Sequence, residues 1–187
     1  EVQNPGCYGV YPALKDSSRF STLCGTGIVG TFTLNAARDA APRKSSGKLF
    51  DAGADPWFTH AERDADAYLF LSYKGKLTRV SLEGETAAVL DTADLGPLAQ
   101  GWAPSGFQPF ALDAKNGVVY VLMHGEAFEG SHKNPSAEVW SYDLKARKLL
   151  ARSPLAGLTS ITVSPVDPTI LFAINLVESK VQRLSVD

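Results

Sequence analysis

The chain has 187 residues, of which 44% are apolar and 20% charged, and its formal net charge is -2 at pH 7. A nearly neutral chain of this composition is typical of globular proteins and lacks the basic surface that nucleic acid or an anionic membrane would require. No apolar run approaches the roughly 20 residues that a membrane-spanning helix needs. We therefore expect neither a nucleic-acid partner nor a membrane partner.

The first residues resemble neither a signal peptide nor a start at an initiator methionine, a pattern expected of a processed or truncated product. Residues 5–51 then predict a first unit of strands at 8–11, 19–24 and 28–34, with an outer strand near 48–51. Gly25–Gly30 match the pattern G-x-G-x-x-G. A dinucleotide site would need a helix after this motif, whereas an alternating strand follows, so the motif predicts a hairpin turn.

The second unit is predicted at residues 55–92, with strands at 57–60, 67–73, 76–82 and 86–91 and a charged turn at 61–66. A Gly/Pro-rich loop follows at 92–106. The third unit, 107–154, has predicted strands at 107–112, 118–123, 138–145 and 149–153, interrupted by an insertion at 124–136. The last unit, 157–187, has predicted strands at 158–164, 170–174 and 181–186, and no fourth strand.

One alternating apolar pattern recurs at residues 28–35, 76–83, 138–145 and 180–187. Without the insertion, the repeats are about 40–50 residues apart, which is the length of a propeller blade. We predict an all-β fold, a single β-propeller segment over residues 1–187 with about four blades of four antiparallel strands, belonging to a ring of about seven. An antiparallel sandwich is the alternative, but its strands would not recur as one unit.

Cys7 and Cys24 are the only cysteines, and their separation excludes a C-x-x-C redox or metal pair. They are either two unpaired buried thiols or one disulfide. We favour the disulfide because both residues lie beside turns within one hairpin-sized unit. A disulfide would indicate an oxidising compartment.

No histidine spacing predicts a metal site, and no pair of carboxylates stands out as catalytic. The residues that we select for partner contact are Trp102, in the Gly/Pro loop, and Glu129, His132 and Lys133, in the insertion. Loops on a rigid scaffold commonly carry recognition, and Trp is a frequent anchor of interfaces. The alternative is that the insertion is a passive surface loop.

Several segments together resemble one known family. They are PGCY at residues 5–8, FSTLCGTG at 20–27, GFQP at 106–109, YVLMH at 120–124, EGSHK at 129–133 and PSAEVW at 135–140. The chain resembles the heavy subunit of the tryptophan tryptophylquinone amine dehydrogenases, over about the C-terminal half of that subunit. The YVLMH and EGSHK segments are more similar to the aromatic amine dehydrogenase branch than to the methylamine branch.

The resemblance implies a seven-bladed propeller in the periplasm and a disulfide between Cys7 and Cys24. It also implies a small light subunit that carries the tryptophan tryptophylquinone cofactor and the catalytic base, and a blue-copper electron acceptor that is azurin-like or amicyanin-like. The remaining blades would come from the same or a separate chain. No catalytic, cofactor-binding or metal-binding residue is carried over to this chain.

The predicted function is therefore that of a non-catalytic propeller subunit, or a fragment of one, in an amine dehydrogenase. The complex would oxidise primary amines to aldehyde and ammonia, and this chain would hold the light subunit. Two alternatives belong to other classes. One is a free-standing propeller hydrolase or lactonase with a central metal, and the other is a plain protein-interaction propeller.

Overall fold

The computed structural model describes residues 1–186. Within them the regular structure consists of 16 β-strands and two single-turn 3₁₀ helices, at Gly96–Leu98 and Ser131–Lys133. Consecutive strands form four separate sheets, which is the arrangement of a β-propeller and confirms the predicted fold class. None of the helices in this range has the length and apolar character needed to cross a membrane.

The chain divides into two compact units. Unit 1 comprises Glu1–Ser72 and Leu77–Thr92, and contains the first sheet and nearly all of the second. Unit 2 comprises Tyr73–Lys76 and the chain from Ala93 onward, and contains the last two sheets. Each unit has its own cluster of buried apolar side chains.

The first sheet has four strands in the order of the chain: β1 (Cys7–Pro12), β2 (Arg19–Cys24), β3 (Val29–Thr33) and β4 (Lys44–Ser45). The motif Gly25–Gly30 is the hairpin turn predicted for it, since Gly27 N–H donates to Cys24 O and β3 follows directly. Gly27 has a φ of +84°, a conformation that favours glycine.

The outer strand predicted at 48–51 was wrong, because β4 lies at Lys44–Ser45, where Lys44 pairs with Thr31. Residues 49 and 50 instead donate their N–H groups to Gly27 O, at 2.8 and 3.3 Å. The Phe50 ring is buried and stacks on Trp57 with 4.6 Å between centroids. Because the Phe50 ring packs in the core, residues 48–51 do not pair as the outer strand of this sheet.

The second sheet contains β5 (Trp57–Asp64), β6 (Ala67–Ser72), β7 (Lys76–Ser81) and β8 (Ala88–Asp94). The charged turn predicted at 61–66 was wrong in extent. The strand β5 continues to Asp64, and Arg63 pairs with Tyr68. Asp64 also accepts a hydrogen bond from Arg79 Nε at 2.5 Å, so its charge is satisfied within the sheet. Only residues 65 and 66 form the turn.

The core of unit 1 is rich in aromatic rings. Phe70 is fully buried and packs against Trp57 at 4.9 Å and Tyr11 at 5.1 Å between centroids. Tyr11 also donates from its hydroxyl to Thr59 O at 2.6 Å. Burial raises the pKa of the Tyr11 hydroxyl well above its usual value, with further contributions from Tyr8 and Tyr68. This phenol therefore stays neutral and serves as a hydrogen-bond donor.

The third sheet contains β10 (Phe110–Asp113), β11 (Val118–Gly125), β12 (Glu138–Asp143) and β13 (Lys148–Pro154), and β9 (Trp102–Pro104) pairs with the end of β11. Residues 92–106 were predicted as a loop, so the strand β9 was not predicted. The fourth sheet has three strands within the described residues: β14 (Leu158–Val163), β15 (Ile170–Asn175) and β16 (Lys180–Ser185). The prediction of three strands for this unit is confirmed for residues 158–185.

The third and fourth sheets are joined near their first strands. Gln108 and Ser160 form a parallel bridge, and Ile161 N–H donates to Gln108 O at 3.1 Å. Gly106 lies at the same junction with a φ of +115°, and a Cβ built there would be 2.5 Å from Thr159 O. Neighbouring sheets whose first strands lie side by side in parallel are expected of successive propeller blades.

The core of unit 2 is mainly aliphatic, with Leu122, Leu158 and Ile161 almost fully buried between the third and fourth sheets. The four repeated stretches of the sequence coincide with the third strand of each sheet, which are β3, β7, β12 and β16. The recurring pattern of apolar residues therefore corresponds to the same strand in each repeat, as expected of propeller blades.

Candidate functional site

The insertion and the loop that precedes the third sheet lie side by side in unit 2. Trp102 pairs with Gly125 across β9 and β11, and Ala127 N–H donates to Gly101 O at 3.2 Å. At the other end, Gly106 N–H donates to His132 O at 2.9 Å. We call residues 101–107 and 124–136 the insertion surface. It unites the Trp102 loop and the insertion, which the sequence analysis had selected separately.

The insertion is a compact turn. Ser131 is buried, and its Oγ donates to Phe128 O at 2.6 Å while accepting from Phe128 N–H at 3.1 Å. Gly130 precedes it with a φ of +88°, which a residue with a side chain would rarely adopt. The ring of Phe128 is 67% exposed as a result. The hydrogen bonds of Ser131 thus hold the backbone of this turn in one conformation, and the Phe128 side chain is exposed to solvent.

His132 anchors the insertion to the turn that follows β6. Its ring stacks on Tyr73, with 4.0 Å between centroids and 23° between the planes. Burial lowers the pKa of His132, and the neighbouring charge of Lys133 lowers it further. Glu129 and Lys133 are both exposed. Of the residues selected from the sequence, His132 is therefore mainly a packing residue, whereas Glu129 and Lys133 are available at the surface.

Trp102 belongs to a cluster of four side chains that joins β9, β12 and β13. The Arg152 guanidinium lies 4.6 Å from the centroid of the Trp102 ring and 4.5 Å from that of Trp140. Glu138 accepts hydrogen bonds from Trp140 Nε1 at 2.6 Å and from Arg152 Nε at 2.7 Å. A guanidinium held by a carboxylate and two indoles is both rigid and amphipathic. The hydrogen bond from Arg152 lowers the pKa of Glu138.

Glu138 and Arg152 were not predicted from the sequence. They lie 14 positions apart, and they meet because Trp140 is paired with Arg152 across β12 and β13. An irregular register between Ser141 and Tyr142 shifts that pairing. A cross-strand search for an Arg facing a Trp would have found the cluster only if this irregularity had been anticipated.

Two buried polar atoms of the insertion surface have no hydrogen-bond partner, namely Ser105 Oγ and His124 Nε2. The other ring nitrogen of His124 is 2.8 Å from Gly125 O. Among residues 1–186, no group of three or more His, Cys, Asp and Glu side chains is arranged to hold a metal ion.

Cys7 and Cys24 form a disulfide, with an S–S distance of 2.06 Å. They face each other at one end of β1 and β2. This is the pairing that the family resemblance implied. It lies in unit 1 and belongs to a different part of the chain from the insertion surface.

Comparison of the sequence with known families gave one match over nearly the whole chain. The model of the methylamine dehydrogenase heavy chain (MADH) family matches residues 2–182. A relative, the methylamine dehydrogenase heavy chain of Methylorubrum extorquens, is 23% identical over 180 residues. That alignment covers 93% of this chain and 43% of the relative, so the chain spans less than half the length of the relative.

Three solved structures have folds similar to this chain, and two of them are WD40 or β-propeller domains. The Pan2 WD40 domain of Neurospora crassa has a TM-score of 0.60 at 11% identity, covering 100% of this chain and 56% of that one. The Cps50 (Swd1) β-propeller domain of Myceliophteria thermophila has a TM-score of 0.62 at 10% identity, with 97% and 51% covered. Hydrazine synthase of Kuenenia stuttgartiensis has a TM-score of 0.53 at 14% identity, with 95% and 58% covered. These similarities support the fold alone.

Proposed function

Because the chain belongs to the methylamine dehydrogenase heavy chain family, we propose that it is a non-catalytic propeller subunit, or a segment of one, in an amine dehydrogenase. The complex would convert primary amines to aldehyde and ammonia. The observation on which this proposal rests is the family match over residues 2–182, together with the propeller sheets that these residues form. A heavy chain implies a light chain, and we propose that this chain holds it.

The insertion surface is the proposed contact with the light subunit. Trp102, Glu129 and Lys133 supply an indole and two opposite charges, while His132 fixes the turn that presents them. Phe128 adds an apolar side chain that is 67% exposed. Interfaces commonly centre on an aromatic or Arg anchor with charged residues at the rim. The Trp102–Arg152 pair matches such an anchor because Glu138 already fixes its geometry.

Further blades are proposed to complete a ring of about seven, whether from the same polypeptide or another one. Within the described residues, β16 pairs only with β15, and the outer face of this sheet exposes Phe172, Ile174 and Val181. An uncovered strand edge beside exposed apolar side chains is unfavourable in a free protein. A further strand would pair with that edge, and a neighbouring blade would pack against the exposed apolar face.

The tryptophan tryptophylquinone cofactor is proposed to reside in the light subunit. Trp102 and Trp140 are neighbours in this chain, 5.7 Å apart between ring centroids, but they do not fit that role. Trp140 is fully buried, and both rings stack on Arg152. We also propose a blue-copper electron acceptor and a periplasmic location, with which the disulfide is consistent. Membership of the aromatic amine dehydrogenase branch stays a prediction.

Co-purification of the native complex tests the proposal. The wild-type chain should purify with a small cysteine-rich subunit whose visible absorption changes when a primary amine is added. Absence of any such subunit would contradict the amine dehydrogenase function. Replacing residues 125–136 by a short Gly/Ser turn should abolish co-purification, whereas Val166→Ser, at an exposed position of another turn, should not. If the insertion variant still retains the subunit, the insertion surface is not the contact, but the proposed amine dehydrogenase function is unaffected.

A further inference from the structure

The disulfide of unit 1 lies against a positive charge. Arg43 Nη1 is 3.1 Å from Cys7 Sγ and 4.0 Å from Cys24 Sγ. A guanidinium near sulfur favours the thiolate over the thiol, and thiolates are the species that attack and leave in disulfide exchange. Arg43 is therefore placed where negative charge would develop if the disulfide were opened.

A glycine fixes the path of Arg43 to the sulfur atoms. Gly30 lies on β3, and a Cβ built on it would be 2.5 Å from Arg43 Cδ and 3.1 Å from Arg43 Cγ. The aliphatic part of the Arg43 side chain thus crosses the strand where Gly30 has no side chain. Gly30 is also the last glycine of the G-x-G-x-x-G pattern. This glycine therefore positions the Arg43 guanidinium, although the motif itself forms a hairpin turn.

The two sulfur atoms differ in accessibility. Cys24 is buried with 3% exposure, whereas Cys7 is half-buried. A thiolate from solution would therefore reach Cys7 Sγ first, and the electron pair of the S–S bond would leave with Cys24 Sγ. A buried thiolate at Cys24 would be unfavourable without a nearby cation, and Arg43 is that cation.

We propose that Cys7–Cys24 is a thiol-exchange site in which Cys7 is the attacked sulfur. Arg43, 4.0 Å from Cys24 Sγ and 3.1 Å from Cys7 Sγ, stabilises first the departing Cys24 thiolate and then the Cys7 thiolate. The co-reactant is a dithiol. Its first thiolate forms a mixed disulfide with Cys7, and its second thiolate then attacks that bond and releases the Cys7 thiolate. The dithiol is oxidised to a disulfide as the protein disulfide takes up two electrons, and the two thiolates can then bind protons. Arg43 acts directly on the reacting sulfur atoms, and Gly30 is the positioning residue.

Opening the disulfide would release a defined part of the first sheet. Cys7 and Tyr8 pair with Cys24 and Leu23, after which the register is irregular up to Tyr11. Tyr11 is buried in the core of unit 1 and stays fixed by its packing. Reduction would therefore loosen the Cys7–Tyr8 end of β1, while Gly25 N–H still donates to Gly6 O and the rest of β1 remains paired.

The test measures how fast dithiothreitol reduces the folded full-length chain, with alkylation and intact mass as the readout. Arg43→Gln should slow reduction at least about fivefold, and Arg43→Lys should restore most of the rate. Gly30→Ala should slow it similarly, because the new methyl group displaces the Arg43 side chain. Arg38→Gln, which changes an exposed arginine of the same connector, should match the wild type.

Two further measurements keep the proposal falsifiable. In 6 M guanidinium chloride all variants should be reduced at the same rate, since the proposed effect needs the folded arrangement. Glutathione trapped on the partly reduced chain should be found on Cys7. A rate for Arg43→Gln within twofold of the wild type, or an adduct on Cys24, would overturn the proposal.

Discussion

The two units are each built from two sheets but use their aromatic side chains in different places. In unit 1 the rings of Tyr11, Phe50, Trp57 and Phe70 are buried together in the core. In unit 2 the core is mainly aliphatic, and Trp102 lies at the insertion surface under Arg152. Unit 1 therefore depends on aromatic packing and a disulfide, whereas unit 2 has a mainly aliphatic core cluster and places Trp102 and the exposed Phe128 on the insertion surface.

The largest expected effect is on the aromatic core. Phe70→Ala should lower the free energy of unfolding by about 4 kcal/mol, because it removes a fully buried ring that packs against two others. Phe172→Ala in unit 2 is the matched control, since that ring is 41% exposed. Urea denaturation followed by circular dichroism measures both. Equal losses would show that the aromatic core of unit 1 has no special importance.

Removing the disulfide should have the next largest effect. The double variant Cys7→Ala, Cys24→Ala should lose about 3 kcal/mol, because the unfolded chain is no longer constrained by the closed loop. Hydrogen exchange should accelerate at the paired ends of β1 and β2, residues 7–8 and 23–24, and stay unchanged at 158–185. Faster exchange in both regions would show that the covalent constraint is not confined to unit 1.

A single serine substitution should have opposite signs in the two units. Ser105→Ala in unit 2 should stabilise the chain by about 1 kcal/mol, because the buried Ser105 Oγ has no partner. Ser21→Ala in unit 1 should destabilise it by about as much, since Ser21 Oγ is buried and hydrogen-bonded to Thr31 Oγ1 at 3.0 Å. Thermal unfolding of both variants decides the matter. Destabilisation by Ser105→Ala would imply a partner for its hydroxyl.

The smallest expected effect is a change in pH dependence. The hydrogen bond from Arg152 lowers the pKa of Glu138 in the folded chain below the usual 4.5. Its stabilising contribution is therefore present above pH 4.5 and is lost as the pH falls through the lowered value. Glu138→Gln should reduce the loss of stability between pH 6 and pH 3.5, whereas Glu129→Gln, at an exposed position, should not. Identical slopes in urea titrations would contradict this assignment.

Strand alternation made much of the fold predictable. The third strand of every sheet was located because apolar residues recurred at the second, fifth and seventh positions of each repeated stretch, and β2 was predicted with its observed bounds. The errors arose where tertiary contacts override local pattern. Residues 48–51 were predicted as an outer strand, but Phe50 packs into the core. The charged residues of β5 resembled a turn because their pairing with β6 and Arg79 was not visible in the sequence.

The candidate site was predictable only in part. An interruption of the repeat located the insertion, and a Trp in a Gly/Pro loop drew attention to Trp102. Nothing in the sequence showed that these two segments are hydrogen-bonded to each other, because the link runs through the backbone of Gly101 and Ala127. Backbone pairing leaves little trace in side-chain identity, which is also why β9 was missed.

The close approach of the third and fourth sheets has a consequence for the geometry of the repeat. At Gly106, any side chain would collide with the backbone of Thr159, which cannot move aside as a flexible side chain could. The spacing between the third and fourth sheets at this point thus depends on the absence of a Cβ atom at residue 106. Circularly repeated designs based on this chain would have to preserve that glycine before optimising any contact around it.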